Sequence, residues 1–261
     1  AYNNGAHGFI ISRGCNNFVF RNNVAFNNND PSPTSLAHGF MLDPGSPNSV
    51  DPQAPSTDNL LENNEAYGNE GYGLRILGSN NNELRGNYFH DSEMGISVEQ
   101  NSTGNLIIGN RLNNTTRFGV ALQETANKNT VRNNEVLNNG DSGIYVRSNE
   151  NLIEANTASN NVKAGIALLV KSGFPPPGSN VIMSNTVASN GANGIDLRTA
   201  VGTLVQGNLV ELSQNKGDGV YLKDSTQTSL VANILRLNTG YGIEVSGATE
   251  KNTSSRNSIY D

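Results

Sequence analysis

A short motif recurs along the whole chain of 261 residues: a glycine, an apolar residue, any residue and a second apolar residue. It first appears in HGFII, from His7 to Ile11. Its glycines are Gly8, Gly39, Gly73, Gly95, Gly119, Gly143, Gly165, Gly194, Gly219 and Gly242. Apolar residues at every second position predict a β-strand with one buried face. A motif that returns at a regular interval predicts a solenoid in which each repeat adds one coil.

An asparagine follows each glycine, with short apolar stretches on either side of it. These asparagines are Asn23, Asn64, Asn87, Asn110, Asn134, Asn156, Asn185, Asn208, Asn233 and Asn257. Asparagine tolerates left-handed backbone angles, so we expect these residues to adopt them in turns. We also expect their amides to form a hydrogen-bonded ladder from coil to coil. Each repeat therefore predicts two or three short strands separated by turns.

The interval between the glycines decides which class of solenoid the chain forms. Where no insertion interrupts it, the interval is 22 to 25 residues, which suits both leucine-rich repeats and parallel β-helices. The fixed leucines of a leucine-rich repeat are missing. The sequence therefore predicts an all-β, single-stranded right-handed parallel β-helix of about ten coils. Residues 1–261 form one domain with loop insertions at about 29–37, 43–57 and 171–179, and we expect the natural protein to continue upstream.

Composition and charge exclude several classes of protein. The net charge of -6 argues against a general nucleic-acid-binding protein. No run of 18 apolar residues is present, so no membrane span is predicted. The single cysteine, Cys15, excludes an internal disulfide and a CxxC metal site, and we interpret it as a small buried or half-buried residue. We predict no cofactor and no metal site; calcium stays open, without a motif that indicates it.

The residues two and four positions after each glycine face away from the predicted core. Neighbouring coils lie about 4.8 Å apart, so these residues form a ribbon of charged, amide and aromatic side chains along one face. The predicted substrate-binding residues of this ribbon are Glu99, Gln123, Tyr145, Arg147, Arg198, Tyr221 and Lys223. We expect the tyrosines to stack on sugar rings. Such a ribbon suits an extended polymer that lies along the helix axis; the alternative is a solvated sheet face.

Two histidines occupy the same repeat position, immediately before a glycine. We expect His7 and His38 in adjacent coils at one edge of a sheet, with Asp43 on its outward face and Arg75 one coil later. Two imidazoles, a carboxylate and a guanidinium suit proton transfer and the neutralisation of a substrate carboxylate. These four residues are the predicted catalytic cluster, and the loop 44–57 is expected to wall its cleft. The alternative is that these residues only form turns.

The segment from Ala1 to Asn28 resembles the catalytic β-helix of mannuronan (alginate) C5-epimerases. The coil pattern more widely resembles carbohydrate-active parallel β-helices, including polysaccharide lyases. In the epimerases a histidine directly before the Gly-Phe/Ile pair belongs to the active site, which implies this role for His7, with His38 as its stacked counterpart. The arginine often found before that histidine is Ala6 here, and Arg13 is expected to reach a similar region and bind substrate. The Tyr-Gly-x-Asp-Pro-His element of the family is absent; in the family it lies upstream of the matched coil.

The resemblance implies an isomerase that removes and returns H5 of uronate residues in a polymer such as alginate. A polysaccharide lyase also removes H5 but then expels the 4-linked sugar. A non-catalytic carbohydrate-binding or structural β-helix carries out no reaction. The epimerase, the lyase and the non-catalytic β-helix all stay open. His7 is the first candidate for proton transfer, and Arg75 for neutralising the carboxylate.

The expected partner is an acidic polysaccharide and not a nucleic acid, with end-to-end self-association at the coil ends as a further alternative. The expected location is secreted, cell-surface or periplasmic.

Overall fold

The computed structural model describes residues 1–31, 36–45, 53–211 and 217–260. In these residues thirty β-strands, numbered in chain order, form three sheets of ten parallel strands. Each coil contributes one strand to each sheet, and every strand pairs with its equivalent in the neighbouring coils. Crossover connections between parallel strands are right-handed. The structure is therefore a right-handed parallel β-helix, which confirms the predicted fold class.

The strand bounds follow the repeat closely. The first sheet contains β1 (Phe9–Ser12), β4 (Phe40–Asp43), β7 (Tyr72–Leu77), β10 (Met94–Glu99), β13 (Val120–Leu122), β16 (Ile144–Val146), β19 (Ile166–Leu169), β22 (Ile195–Arg198), β25 (Val220–Lys223) and β28 (Ile243–Ser246). The second sheet contains β2 (Val19–Arg21), β5 (Leu60–Glu62), β8 (Glu83–Arg85), β11 (Leu106–Ile108), β14 (Thr130–Arg132), β17 (Leu152–Glu154), β20 (Val181–Met183), β23 (Leu204–Gln206), β26 (Ser229–Val231) and β29 (Thr253–Ser255). The third sheet contains β3 (Val24–Phe26), β6 (Glu65–Tyr67), β9 (Tyr88–His90), β12 (Arg111–Asn113), β15 (Glu135–Leu137), β18 (Thr157–Ser159), β21 (Thr186–Ala188), β24 (Leu209–Glu211), β27 (Ile234–Arg236) and β30 (Ser258–Tyr260).

The core is the space that the three sheets enclose. The apolar residues of the repeat motif lie inside it, as Phe40 and Leu42 show. Strands of the other two sheets each direct their middle residue inward, for example Ala66 in β6. The glycine of the motif is needed where the chain enters the first sheet. A Cβ on Gly39 would lie 2.5 Å from the Cβ of Ala66 and 2.7 Å from the carbonyl oxygen of Gly73.

The repeated asparagines form the predicted ladder. The side-chain amide of Asn87 donates to Oδ1 of Asn110 at 2.9 Å, and Asn110 donates to Asn134 at 3.0 Å. The expectation of left-handed backbone angles at these asparagines is wrong, because the residue before each of them makes the turn. Asn133, for example, has φ of 54°. The ladder asparagine keeps the ordinary backbone conformation and uses its amide for hydrogen bonding.

Two further expectations change in the structure. Cys15 is exposed rather than buried, because it lies in the turn between β1 and β2. The second insertion begins after Asp43, which is the last residue of β4. The structure describes all of the insertion 171–179. Residues 32–35 of the first insertion and 46–52 of the second lie outside the described residues. The described part of the chain contains no helix long and apolar enough to cross a membrane.

Both ends of the described coil stack carry exposed apolar side chains. Tyr2 is 61% exposed at one end, and Ile259 and Tyr260 are more than half exposed at the other. These side chains are compatible with end-to-end self-association, which stays a prediction.

Candidate functional site

His7 and His38 lie in one column at the edge of the first sheet, as predicted. Their imidazole rings stack with centroids 4.9 Å apart and planes 2° apart. The backbone N–H of His38 donates to Nδ1 of His7 at 3.1 Å, and that of Tyr72 donates to Nδ1 of His38 at 2.9 Å. An Nδ1 that accepts a hydrogen bond carries no proton, so each neutral ring carries its proton on Nε2.

Burial and a nearby cation keep both imidazoles uncharged. Burial, then His7, then Arg75 lower the pKa of His38 to about 3. Burial and then Arg75 also lower the pKa of His7, while Asp43 and Asp30 oppose this shift. At neutral pH both rings are therefore uncharged and present Nε2–H as a hydrogen-bond donor. A backbone N–H occupies the free lone pair of His7, on Nδ1, so this geometry favours a donor role, and the proton-transfer role of His7 stays a prediction.

Tyr72 continues the histidine column and was missed by the sequence interpretation. Its ring lies 4.7 Å from that of His38, at an interplanar angle of 27°. Burial, then Glu99 and Glu93, raise the pKa of Tyr72 to about 12, so its hydroxyl stays protonated at neutral pH. A signal was present in the sequence, because Tyr72 directly precedes Gly73 just as the histidines precede their glycines.

Arg75 lies on the outer face of β7, next to the histidine column. Its Nη2 donates to Oε2 of Glu99 at 2.7 Å, and the hydroxyl of Ser97 donates to Oε1 of the same carboxylate at 2.8 Å. Nε of Arg75 is buried and has no hydrogen-bond partner within the described ranges. The guanidinium therefore acts on both imidazoles through its charge and keeps one donor unused.

Asp43 lies apart from this group, at the far end of β4. Its Oδ1 accepts a hydrogen bond from the backbone N–H of Gly45 at 3.0 Å, so the side chain caps its own turn. It acts on His7 only as a charge that raises the pKa of that ring. The structure thus brings His7, His38 and Arg75 together, and gives Asp43 the turn-forming role that was the alternative.

The predicted wall 44–57 is described only at its two ends. The side-chain amide of Gln53 donates to the carbonyl oxygen of Gly45 at 2.7 Å, and the hydroxyl of Ser56 donates to the backbone of Asp43 at 3.3 Å. These ends lie on the Asp43 side of the first sheet. The middle of the loop, 46–52, lies outside the described residues, so the wall stays a prediction.

The outer face of the first sheet is less solvated than predicted. Ser97, Ala121 and Ala167 are buried beneath larger neighbours. Tyr145 is only 4% exposed: the ring of Phe118 stacks on it at 4.2 Å, and the guanidinium of Arg147 lies over it at 4.7 Å. Tyr145 is therefore not free to stack on a sugar ring, which corrects that expectation.

Two open pockets lie side by side along this face and share Arg117 and Arg147. The first, which we call the loop-walled pocket, has a volume of about 500 Å³ and reaches from Tyr72 to Phe174 of the insertion 171–179. The second has a volume of about 390 Å³ and continues to Arg198. Together they form a groove along the helix axis, beginning next to the histidine column.

Most predicted substrate-binding residues lie along this groove. Glu99, Gln123 and Arg147 line the loop-walled pocket, and Arg198 lines the second. The guanidinium of Arg198 binds the buried Asp196 through two hydrogen bonds of 3.0 Å.

The remaining predicted binding residues lie at the two ends of the first sheet. Tyr221 and Lys223 lie further along, in β25. Tyr221 accepts a hydrogen bond from Ser246 at 3.0 Å. Arg13 lies in the turn after β1 with φ of 59°, close to Gly45. These three residues do not line the two pockets.

The sequence interpretation missed Arg117, Lys171 and Phe174. Arg117 precedes a repeat motif by two residues and lines both pockets. Lys171 and Phe174 belong to an insertion whose conformation no repeat pattern predicts. A further cavity of about 510 Å³, lined by Glu70, Asp91 and Glu93, has no lysine or arginine among its described lining residues. It does not suit an acidic polymer.

Comparisons with known proteins agree with this architecture. Residues 53–176 match the family model described as right handed beta helix region, and residues 122–261 match the model described as periplasmic copper-binding protein (NosD). No curated protein matches the chain by sequence.

Solved structures share the fold at low sequence identity. The A-module of the Azotobacter vinelandii mannuronan C-5 epimerase AlgE6 is 18% identical with a TM-score of 0.67, over 95% of this chain and 75% of that one. The periplasmic alginate epimerase AlgG is 17% identical with a TM-score of 0.70, over 96% and 72%. The Dettilon tailspike protein is 16% identical with a TM-score of 0.55, over 96% and 55%. At these identities the likeness shows the fold alone.

The NosD model covers more than half of the chain. The chain therefore belongs to the family described as periplasmic copper-binding protein (NosD), and its fold is the right-handed parallel β-helix that the mannuronan C5-epimerases also have.

Proposed function

We propose that the chain binds a uronate-containing polysaccharide along the outer face of the first sheet and acts on it as a C5-epimerase. The observation that carries the proposal is the group of His7, His38 and Arg75, two neutral N–H donors beside a cation. The fold shared with two alginate epimerases and a phage tailspike supports polysaccharide as the substrate class.

The chemistry of C5-epimerisation explains what such a group contributes. Removal of H5 places negative charge on the neighbouring carboxylate, and preorganised donors stabilise that charge as it develops. Arg75 neutralises the carboxylate through the accessible part of its guanidinium, since its side chain is 28% exposed. His7 and His38 donate from Nε2. Because both Nδ1 lone pairs accept backbone hydrogen bonds, H5 passes to a water or hydroxide from the solvent in this proposal, and water returns a proton to the opposite face of C5.

The same occupied lone pairs favour a second candidate function, a non-catalytic module that binds acidic polysaccharide. A lyase is a variant of the first candidate: it removes H5 in the same way but expels the 4-linked sugar. The net charge of -6 does not oppose either candidate. The groove cations Arg147 and Lys171, which share the one carboxylate of Glu124, act at short range, whereas distant charges are screened within about 10 Å at 0.1 M salt.

The family description raises the question of copper. Copper binds imidazole, thiolate and thioether ligands. Across the described ranges, no group of three or more His, Cys, Asp or Glu is placed to hold a metal ion. Both histidine Nδ1 atoms accept backbone hydrogen bonds, and the parallel rings direct their Nε2 atoms alongside each other rather than toward one point. The residues do not fit a resident copper ion, so the proposal includes no copper-dependent step and no cofactor.

A location outside the cytoplasm is part of the proposal, because the polymers concerned lie there. The descriptions of AlgG and of NosD, both periplasmic, support it.

The deciding experiment incubates the protein with polymannuronate in D2O and follows C5 deuteration by NMR. Deuterium at C5 without unsaturated chain ends supports the epimerase, whereas unsaturated ends support the lyase. Retention of polymannuronate in affinity electrophoresis without deuteration supports the binding module. Failure to retain any acidic polysaccharide contradicts the proposal as a whole.

A further inference from the structure

The insertion 171–179 forms one side of the loop-walled pocket. It follows β19 and contains three consecutive prolines, Pro175 to Pro177, whose φ angles are fixed by their rings. The backbone N–H of Phe174 donates to the carbonyl oxygen of Lys171 at 3.0 Å, which closes a turn just before the prolines. The ring of Phe174 is 42% exposed at the pocket. A restrained loop thus holds an apolar ring against a groove rather than in the core.

The charges in this pocket do not cancel. The carboxylate of Glu124 is only 12% exposed and binds two cations, Nη1 of Arg147 at 3.0 Å and Nζ of Lys171 at 3.4 Å. Arg117, which also lines the pocket, is paired with Glu93 at 3.0 Å, and Glu99 is paired with Arg75. The lining thus carries one more cation than acids. Since Lys171 and Arg147 share a single carboxylate, an additional anion finds an unneutralised charge there.

The pocket is continuous with the histidine column. Tyr72, whose ring stacks on His38, also lines the pocket, and the buried Met94 lies next to it. The insertion follows the seventh coil but reaches back, because Nζ of Lys171 lies 3.4 Å from Oε2 of Glu124, which follows β13 in the fifth coil. From Tyr72 in the third coil to the fifth coil is about 10 Å along the axis, at about 4.8 Å per coil. One extended chain can therefore contact the histidine column and Phe174 only if it has more than one sugar unit.

From these observations we infer that the loop-walled pocket is a second binding subsite, for a different uronate residue of the same chain from the one at the histidine column. The ring of Phe174 packs against the apolar face of the sugar, as aromatic rings do with apolar surfaces. The carboxylate of that sugar pairs with Lys171, which lies 5.0 Å from the Phe174 centroid, as a charge-assisted contact. This inference rests on the proposed function. It assigns to the insertion 171–179 the dependence of binding affinity on the length of the polymer.

The experiment is a calorimetric titration with oligomannuronates of increasing, defined length. The wild-type protein should bind more tightly once the oligomer is long enough to reach Phe174. Phe174→Ala should weaken binding of the long oligomers by roughly three- to tenfold and leave that of the short ones unchanged. Lys171→Gln should remove the same increase and part of its dependence on salt. Phe18→Ala is the matched control, because Phe18 is 53% exposed away from the pocket, and its affinities should equal those of the wild type.

The outcomes separate the subsite from the proposed function. If Phe174→Ala and Lys171→Gln bind all lengths as the wild type does, the subsite is wrong while the proposed function stands. If the wild-type protein binds no oligomannuronate and no longer acidic polymer, both are wrong.

Discussion

The backbone N–H of His38 donates to Nδ1 of His7 at 3.1 Å while the two imidazoles stack 4.9 Å apart. The repeat thus makes each coil determine the tautomer of the histidine in the coil before it. Tyr72 does the same for His38 from the third coil. With Nδ1 occupied, neither neutral ring has a free lone pair for a substrate, but each ring has an Nε2–H that can donate. This arrangement underlies the roles that we propose for the site.

The first prediction concerns stability against pH. The pKa of His38 is about 3 in the folded protein, against 6.5 for an ordinary histidine, so between these pH values the unfolded chain binds one more proton. The free energy of unfolding should therefore fall as the pH falls from 6.5 toward 3, by about 1.4 kcal/mol per pH unit for this residue. The lowered pKa of His7 adds to this loss. Urea unfolding at several pH values measures it.

Two variants separate this effect from general acid sensitivity. His38→Asn keeps a side-chain acceptor and removes the titrating group, so its stability should change less over the same pH range. Asn29→Ala, at an exposed residue that does not titrate, is the control and should retain the wild-type slope. An unchanged slope in His38→Asn contradicts the prediction.

The second prediction concerns the glycine that contacts the histidine column. A Cβ on Gly71 would lie 2.3 Å from Nδ1 of His38. Gly71→Ala should therefore displace the ring and lower the stability by about 1–3 kcal/mol. Gly5→Ala is the control, because its Cβ would meet only Pro31, at 3.7 Å. Thermal unfolding of both variants makes the comparison, and equal melting temperatures would contradict the predicted contact.

The third prediction concerns the asparagine ladder. The amide of Asn134 accepts from Asn110 and donates to the carbonyl oxygen of Ile107 and to Asn156. Asn134→Ala leaves buried partners unsatisfied and should cost at least about 2 kcal/mol. Among the described residues, the exposed Asn29 has only its backbone N–H hydrogen-bonded, to the carbonyl oxygen of Asn4, and Asn29→Ala should cost little. Denaturant midpoints test this, and a neutral Asn134→Ala would show that the ladder does not stabilise the stack.

The fourth prediction concerns the cations of the groove. Arg147 lines both pockets, and Lys223 lies three coils further along the same sheet. Arg147→Ala and Lys223→Ala should each weaken binding of acidic oligosaccharides, and added salt should weaken wild-type binding. Because Arg147 also binds Tyr145 and Glu124, its variant should lose some stability, whereas Lys223→Ala should not. Unchanged affinity in the double variant would show that this face is a solvated surface and not a binding site.

The fold was predictable from the sequence because the motif has the period of a strand and the interval of a coil. Ile96 and Val98 alternate with Ser97, and both are buried as expected. The packing of the outer face was less predictable. Tyr145 is covered by Phe118 of the neighbouring coil and by Arg147. Such contacts depend on the particular side chains that meet between coils, which the repeat pattern does not specify.

The site was predictable in position but not in chemistry. Equal repeat positions correctly placed His7 beside His38. The protonation of both rings depends on backbone N–H groups that belong to the following coil, which no motif records. Likewise, the sequence marked 171–179 as an insertion, but the position of Phe174 against the groove follows from its three-dimensional course.

The central claim is that His7 and His38 are neutral Nε2–H donors to a uronate. The most direct test is ¹⁵N–¹H NMR of the histidine rings between about pH 5 and 8, with and without oligomannuronate. His38 should stay neutral with its proton on Nε2 over this range, and His7 should have the same tautomer at neutral pH. The Nε2–H resonances of both rings should shift on addition of the oligomer while those of His90 do not. Three results would contradict the claim. They are a proton on Nδ1 of either ring, an imidazolium at His38 within this pH range, and Nε2–H resonances that do not shift when the oligomer is added.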